Sequence, residues 1–222
     1  KAAAYVDDSG TSMAAPHVSG AIAAFLSIRR EFIGKPQDVK RVFLEPGGKS
    51  ANVTRDAADL PAALGTAGMV CMHSGQGCAI TTRMLLPRSR YDEGVELAKA
   101  SFESFPYGDP TDPSMMMGPL INERQREKVD GYVQRASADG AKIVTGGRRP
   151  EHLPRGFFYE PTLIADVEPD SAIAQEELFG PVLVILPYRD DDDAVAIAND
   201  SIFGLSATVF GADDERATAV SR

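Results

Sequence analysis

Short apolar segments alternate with longer amphipathic segments along most of the chain, and this alternation restricts the possible fold more than any other feature. The apolar periodicity predicts strands at 84–86, 141–145, 162–167, 182–186 and 206–210. Helices are predicted at 57–70, 91–104, 122–139 and 190–199. Such alternation is typical of α/β domains, in which a parallel sheet carries helices on its faces. We therefore predict an α/β fold built on a parallel sheet.

Composition and charge exclude several classes of partner. The net charge of −9 disfavours nucleic acid, because few Lys and Arg side chains are in excess to displace phosphate counterions. No uncharged run approaches the length of about 20 residues that spans a bilayer, so no membrane partner is predicted. Two cysteines, Cys71 and Cys78, are too few for a disulfide framework, which favours a reducing compartment and a cytoplasmic location.

An acidic run at residues 190–193 stands where a helix is predicted to begin. Acidic side chains are favoured at helix N-termini, so we interpret this run as helix-terminal charge. A metal site is the weaker alternative, and no metal ligands are predicted.

A serine motif, GTSMAAPH, occupies residues 10–17 and is followed by apolar residues at helical spacing up to residue 30. It resembles the nucleophile motif of subtilisin-like serine proteases. The resemblance implies that Ser12 corresponds to the nucleophile and that residues 1–44 are a C-terminal fragment of such a protease. In that family the activating Asp and His precede the serine, and residues 1–11 are too few to supply them. We therefore expect Ser12 to be inactive, with a serine endopeptidase fragment as an alternative function.

Six ordered segments carry a second resemblance. They are LEPGGKSANV (44–53), SGQGCAITTR (74–83), GPLIN (118–122), GFFYEPTLI (156–164), QEELFGPVLVI (175–185) and ANDSIFGLSATVF (198–210). With this spacing, residues 45–222 resemble the catalytic domain of the NAD(P)-dependent aldehyde dehydrogenase superfamily. The resemblance implies a small-molecule aldehyde substrate, NAD or NADP as hydride acceptor, and an oligomeric family.

Cys78 follows a glycine-rich turn and precedes a segment at 79–83 that is predicted to be helical. A cysteine at a helix N-terminus has a lowered pKa and more thiolate at neutral pH. A small buried side chain is the alternative that the residues alone leave open. The family resemblance implies that Cys78 is the nucleophile and that its backbone N–H forms half of the oxyanion hole. Cys71 lies in the apolar run MVCM and is predicted to pack in the core.

Three further roles come from the same resemblance. Glu45, which lies 33 positions before Cys78, corresponds to the general base. Pro46 departs from the family pattern and favours an extended conformation at Glu45, so we expect this base to be misaimed. Glu177 corresponds to the ligand of the nicotinamide ribose hydroxyls, and Phe179 to the residue packed beside the ring.

The family's cofactor-binding domain precedes its catalytic glutamate, and its oligomerisation strand comes last. Neither is recognisable in this sequence, which contains no strand, glycine-rich turn and helix with the dinucleotide-binding spacing. We therefore expect impaired aldehyde oxidation, with slow hydrolysis of activated esters by Cys78. A gene fusion, a misassembled sequence and an inactive chimera joined near residues 38–45 remain as alternatives.

Overall fold

The computed structural model describes residues 47–56, 58–65 and 67–221. Ser12, the helix predicted after it, Glu45 and Pro46 lie outside these residues. The strands are β1 (Ala51–Thr54), β2 (Arg83–Pro87), β3 (Lys142–Thr145), β4 (Thr162–Ala165), β5 (Val182–Tyr188) and β6 (Ala207–Phe210). The helices are α1 (Leu60–Leu64), α2 (Tyr91–Glu103), α3 (Glu123–Ala138), α4 (Ala172–Gln175), α5 (Asp191–Asn199) and α6 (Asp214–Val220). Two 3₁₀ segments, Ala67–Gly75 and Arg88–Arg90, precede β2 and α2.

The strands form one sheet in the order β3-β4-β5-β2-β1-β6. All neighbours are parallel except β3 and β4, which pair antiparallel. The α/β class is therefore confirmed, but the sheet is mixed and not wholly parallel. The chain between β3 and β4 contains no helix, and a parallel pair needs a crossover of that kind. An antiparallel edge is the arrangement that this connection permits.

The central strands are buried on both faces, and the alternation of their side chains separates two apolar clusters. In β5, Val184 and Leu186 join the cluster beneath α3, whereas Leu183 and Ile185 join the cluster beneath α1 and α2. Successive side chains of a strand point to opposite faces, so a continuous apolar run supplies both clusters. This packing fixes the register of the central strands, and hence the positions of the loops before them.

Most predicted helices are present with ends shifted by one or two residues, but the helix predicted at 57–70 is wrong. The chain forms the short helix α1 and then a 3₁₀ segment from Ala67. Gly65 ends α1 by donating its N–H to the Pro61 carbonyl oxygen, at 2.9 Å. A small residue with little helix propensity therefore interrupts the predicted element. Within the described part of the chain, no helix is long and apolar enough to cross a membrane.

Candidate active site

Three loops meet at the edge of the sheet where β1, β2 and β5 begin. Gly48 lies before β1, Cys78 before β2 and Glu177 before β5. These strands are adjacent and parallel, so the segments that enter them must lie at the same edge. The topology therefore brings together residues that are up to 129 positions apart in the sequence.

Gly48 connects the other two loops. Its N–H donates a hydrogen bond of 2.8 Å to Oε1 of Glu177. A Cβ atom added to Gly48 would lie 2.1 Å from the carbonyl oxygen of Cys78, which is closer than any real contact. Glycine is therefore the residue that allows the two loops to approach on either side of this position.

Cys78 is exposed and lies in a turn closed by a 3.4 Å hydrogen bond from the Ile80 N–H to the Gly77 carbonyl oxygen. Ser206 donates its hydroxyl to the Ala79 carbonyl oxygen, at 2.8 Å. The helix predicted at 79–83 is wrong, because residues 79–82 are described as non-helical and β2 begins at Arg83. The predicted activation of Cys78 by a helix dipole therefore has no structural basis. Its exposure also excludes the alternative of a buried, merely space-filling cysteine.

Cys71 has the opposite environment. Its side chain is fully buried, and Sγ lies 3.9 Å from the Pro181 carbonyl oxygen. Burial raises the pKa of the Cys71 thiol well above its usual range, because the thiolate would lose its hydration. The prediction that Cys71 packs in the core is confirmed.

The chain before Cys78 is strained. His73, Ser74 and Gly75 follow one another with φ of 53°, 59° and 67°. The left-handed conformation costs a residue with a Cβ about 1–2 kcal/mol, so this segment needs support. Ser74 provides part of it by donating its hydroxyl to the carbonyl oxygens of Gly118 (2.8 Å) and Pro119 (3.1 Å).

The loop 177–179 is held by two residues of α3. Gln125 donates from Nε2 to the carbonyl oxygens of Leu178 (2.7 Å) and Phe179 (2.8 Å). Lys128 donates from Nζ to the Glu177 carbonyl oxygen, at 2.8 Å. Sequence reasoning missed both residues. Their spacing of three in a predicted helix showed that they share a face, but it did not show what that face contacts.

Lys49 is the second feature that sequence reasoning missed. It follows Gly48 directly and is 3% exposed. Burial, followed by the positive charge of Arg83, lowers the pKa of Lys49 to about 7, and Glu177 opposes this shift. Arg83 is also buried and donates to the Lys49 carbonyl oxygen, at 2.7 Å, so it fixes the entry into β1.

Comparison with known proteins shows which family has this sequence and fold. The model of the aldehyde dehydrogenase family matches residues 26–222. The chain belongs to the aldehyde dehydrogenase family. Among its relatives, a 3-succinoylsemialdehyde-pyridine dehydrogenase of a Pseudomonas species is 44% identical over 83% of this chain and 39% of its own length. A betaine aldehyde dehydrogenase of Rhizobium leguminosarum bv. trifolii is 40% identical over 86% of this chain and 40% of its own length.

Solved structures of this family have the same fold. A Mycobacterium tuberculosis aldehyde dehydrogenase in complex with NAD+ superposes with a TM-score of 0.80 at 44% identity, covering 90% of this chain and 41% of its own. An aldehyde dehydrogenase C mutant from Pseudomonas syringae, in complex with NAD+ and octanal, gives a TM-score of 0.79 at 40% identity, covering 82% of this chain and 38% of its own. These complexes support the assignment of NAD(P) as the cofactor by resemblance.

The matches cover only part of the relatives and include part of the N-terminal segment of this chain. The chain spans about 40% of the length of the relatives described above. The match to the family model begins at residue 26, within the segment 1–44 that resembles a protease fragment. None of the findings supports the resemblance to subtilisin-like proteases, and the role of Ser12 stays a prediction. The division into 1–44 and 45–222 also stays a prediction.

Proposed function

We propose that residues 45–222 form the catalytic portion of an NAD(P)-dependent aldehyde dehydrogenase, which oxidises a small aldehyde to a carboxylic acid through Cys78. The observation that carries this proposal is the position of Cys78. It is exposed, and Gly48 joins its turn to the Glu177 carboxylate at the edge where three parallel strands begin. Membership of the family supplies the reaction class for this geometry.

In the first step the Cys78 thiolate adds to the carbonyl carbon of the aldehyde. A C–S bond forms, and the carbonyl π electrons move to the oxygen, which becomes negatively charged. The Cys78 backbone N–H is the proposed donor to this oxygen. The turn that contains Cys78 supports this role because its backbone is fixed by Gly48 on one side and by the Ser206 bond to Ala79 on the other.

Glu177 and Phe179 are the proposed contacts of the cofactor, and their surroundings fit such a ligand. The Glu177 side chain is half-buried, with Oε1 fixed by Gly48. Among the residues that the structure describes, no hydrogen bond to Oε2 is formed, so this oxygen can accept one from a ribose hydroxyl. Phe179 is half-buried two positions further on. When bound, NAD(P)+ accepts the hydride that leaves the carbonyl carbon and so supplies the oxidation.

Hydrolysis of the resulting thioester returns Cys78 to its starting state. Water adds to the thioester carbonyl, the C–S bond breaks, and the carboxylic acid leaves. Glu45 is the proposed base that takes the proton from this water. A proline disfavours the helical region at the residue before it, so we expect Glu45 to be misaimed, hydrolysis to be slow, and a Pro46→Leu variant to be faster than the parent chain.

The proposal is tested by two assays of the same variants. With NAD+ and an aldehyde, NADH formation is expected to be abolished in Cys78→Ala and retained in Cys71→Ala, the matched control at the buried cysteine. With p-nitrophenyl acetate, which needs no cofactor, Cys78→Ala is expected to lose the catalysed rate. Equal rates of ester hydrolysis in Cys78→Ala and the parent chain would contradict the proposed nucleophile.

A further inference from the structure

We propose that Gln125 and Lys128 are positioning residues, which hold the loop 177–179 in the conformation that places the Glu177 carboxylate against Gly48. We call these two residues the α3 pair. The α3 pair donates to three consecutive backbone carbonyl oxygens, those of residues 177, 178 and 179. The importance of this Glu177 position for catalysis rests on the proposed function. The position itself is a property of the folded chain.

Among the residues that the structure describes, no backbone N–H donates to the carbonyl oxygens of residues 177–179, so their hydrogen bonds come from side chains. Residues 177–179 lie outside the helices and strands, between α4 and β5. Phe179 has a φ of 61°, in the left-handed region that a residue with a Cβ avoids. A conformation of this kind persists only where its surroundings fix it. The two bonds from Gln125 are part-buried, whereas the bond from Lys128 is exposed. The α3 pair supplies those bonds.

Packing prevents the loop from moving away from α3. Val129 directly follows Lys128 in the sequence and is fully buried. A Cβ atom added to Gly180 would lie 2.4 Å from Cγ2 of Val129, so the backbone at Gly180 rests directly on α3. On the other side, a Cβ atom on Gly75 would lie 1.9 Å from the Gly180 carbonyl oxygen.

The chain from Glu177 to Gly180 therefore meets the segment before Cys78 directly, and it meets Cys78 itself only through Gly48. Gly180 abuts Gly75, three positions before Cys78, and Glu177 bonds Gly48, which abuts the Cys78 carbonyl. A loop fixed in this way presents Glu177 and Phe179 before any ligand arrives, and preorganisation of this kind lowers the cost of ordering a binding site. Loss of the α3 pair would leave the loop held by packing at Gly180 alone, so we expect it to fluctuate more and the bond from Gly48 to Glu177 to open more often.

The test is hydrogen exchange of the Gly48 amide, measured by NMR on the whole 222-residue chain without cofactor or substrate. Gln125→Glu keeps the size of the side chain, but its carboxylate cannot donate to the two carbonyl oxygens. We expect Gly48 exchange to be about tenfold faster in this variant, as for the loss of one hydrogen bond. The exposed neighbour Arg124 provides the control, since Arg124→Ala is expected to leave Gly48 exchange unchanged.

A second variant keeps the proposal testable if Gln125→Glu does not fold. Lys128 is exposed, so Lys128→Met retains the core, and we expect Gly48 exchange to be about threefold faster. Exchange of the Leu183 amide in β5 monitors global opening in the same spectra. Unchanged Gly48 exchange in both variants would overturn the proposal, and so would equal acceleration at Gly48 and Leu183, which indicates a merely structural role.

The exchange rate of the Gly48 amide is measured without catalytic turnover, so this test is separate from the test of the proposed function. Equal rates of ester hydrolysis in Cys78→Ala and the parent chain, together with the local change at Gly48, would contradict the proposed function and leave the positioning role standing. A chain that oxidises aldehydes with Gly48 exchange insensitive to both substitutions would do the reverse.

Discussion

The strands β1, β2 and β5 begin at one edge of the sheet and end at the opposite edge, and the two edges hold their polar groups in opposite ways. At the edge where they end, charges are paired. Arg55, which follows β1 and is 1% exposed, donates to Asp191 from Nε (3.1 Å) and Nη2 (2.7 Å). Tyr188 donates its hydroxyl to the Thr54 carbonyl oxygen, at 3.0 Å, and so links the ends of β5 and β1.

At the edge where the strands begin, the polar groups are held chiefly by backbone contacts, and a buried amine and several left-handed residues lie there. Lys49 loses its hydration, and His73, Ser74 and Phe179 adopt left-handed conformations. Glu177 accepts a hydrogen bond from a backbone N–H through Oε1. The comparison shows paired charges at one edge and a buried amine, left-handed residues and an exposed cysteine at the other, which is the pattern we expect if the second edge has the proposed function.

The largest effect is expected from breaking the paired edge. Asp191→Ala leaves the guanidinium of Arg55 buried without its carboxylate, which should lower the free energy of unfolding by about 3 kcal/mol. Urea unfolding measures this change. Arg216 also contacts Asp191, at 3.3 Å, but it is well exposed, so Arg216→Ala should cost less than about 0.5 kcal/mol. Similar losses in the two variants would contradict the importance of the buried pair.

An intermediate effect is expected from crowding the opposite edge. Gly48→Ala forces the Cys78 carbonyl to move, and overpacking of this kind costs about 2 kcal/mol. The catalysed hydrolysis of p-nitrophenyl acetate should fall as well, because the turn at Cys78 shifts. Gly131→Ala is the control, since a Cβ atom there meets nothing within 4 Å and alanine favours the helix. It should raise stability slightly, and a fully active Gly48→Ala variant would contradict the close approach.

A smaller and graded effect is expected from the buried amine. The folded pKa of Lys49 is about 7, below the usual lysine value of about 10.4. Between these values the unfolded chain holds a proton that the folded chain lacks, so the free energy of unfolding should rise with pH, by about 1 kcal/mol per pH unit. Comparison of urea unfolding of the parent chain and Lys49→Met between about pH 7.5 and about pH 9 isolates this contribution. Parallel pH profiles would show that Lys49 is not the titrating group.

Most helices and strands could be predicted from the sequence because their side chains alternate regularly between buried and exposed faces. The run at 182–186 predicts a buried strand, and β5 supplies side chains to both apolar clusters. The acidic run at 190–193 is explained as predicted, because Asp190 caps α5 by accepting the Asp193 N–H, at 2.9 Å. These features follow from local spacing and capping, which depend on neighbouring residues only.

The geometry of the candidate site was harder to predict from the sequence, because it depends on contacts between distant segments. The sequence indicated Cys78 and Glu177 through motifs, but it predicted a helix after Cys78 where a turn leads into β2. Only Arg83 of the run at 79–83 joins β2, which pairs with β1 and β5, and residues 79–82 form the connection that enters this strand. The close approach at Gly48 and the burial of Lys49 arise from the same strand pairing. They could therefore not be predicted from the neighbouring sequence.

The most direct test of the account is to identify the side chain that becomes acylated during ester hydrolysis. The parent chain is mixed with p-nitrophenyl acetate, quenched in acid, digested and mapped by mass spectrometry. We expect the acetyl group on Cys78, no label on the buried Cys71, and loss of the label in Cys78→Ala. Acetylation of Ser12 or of scattered lysines in place of Cys78 would contradict the claim that the three loops form an active site around Cys78.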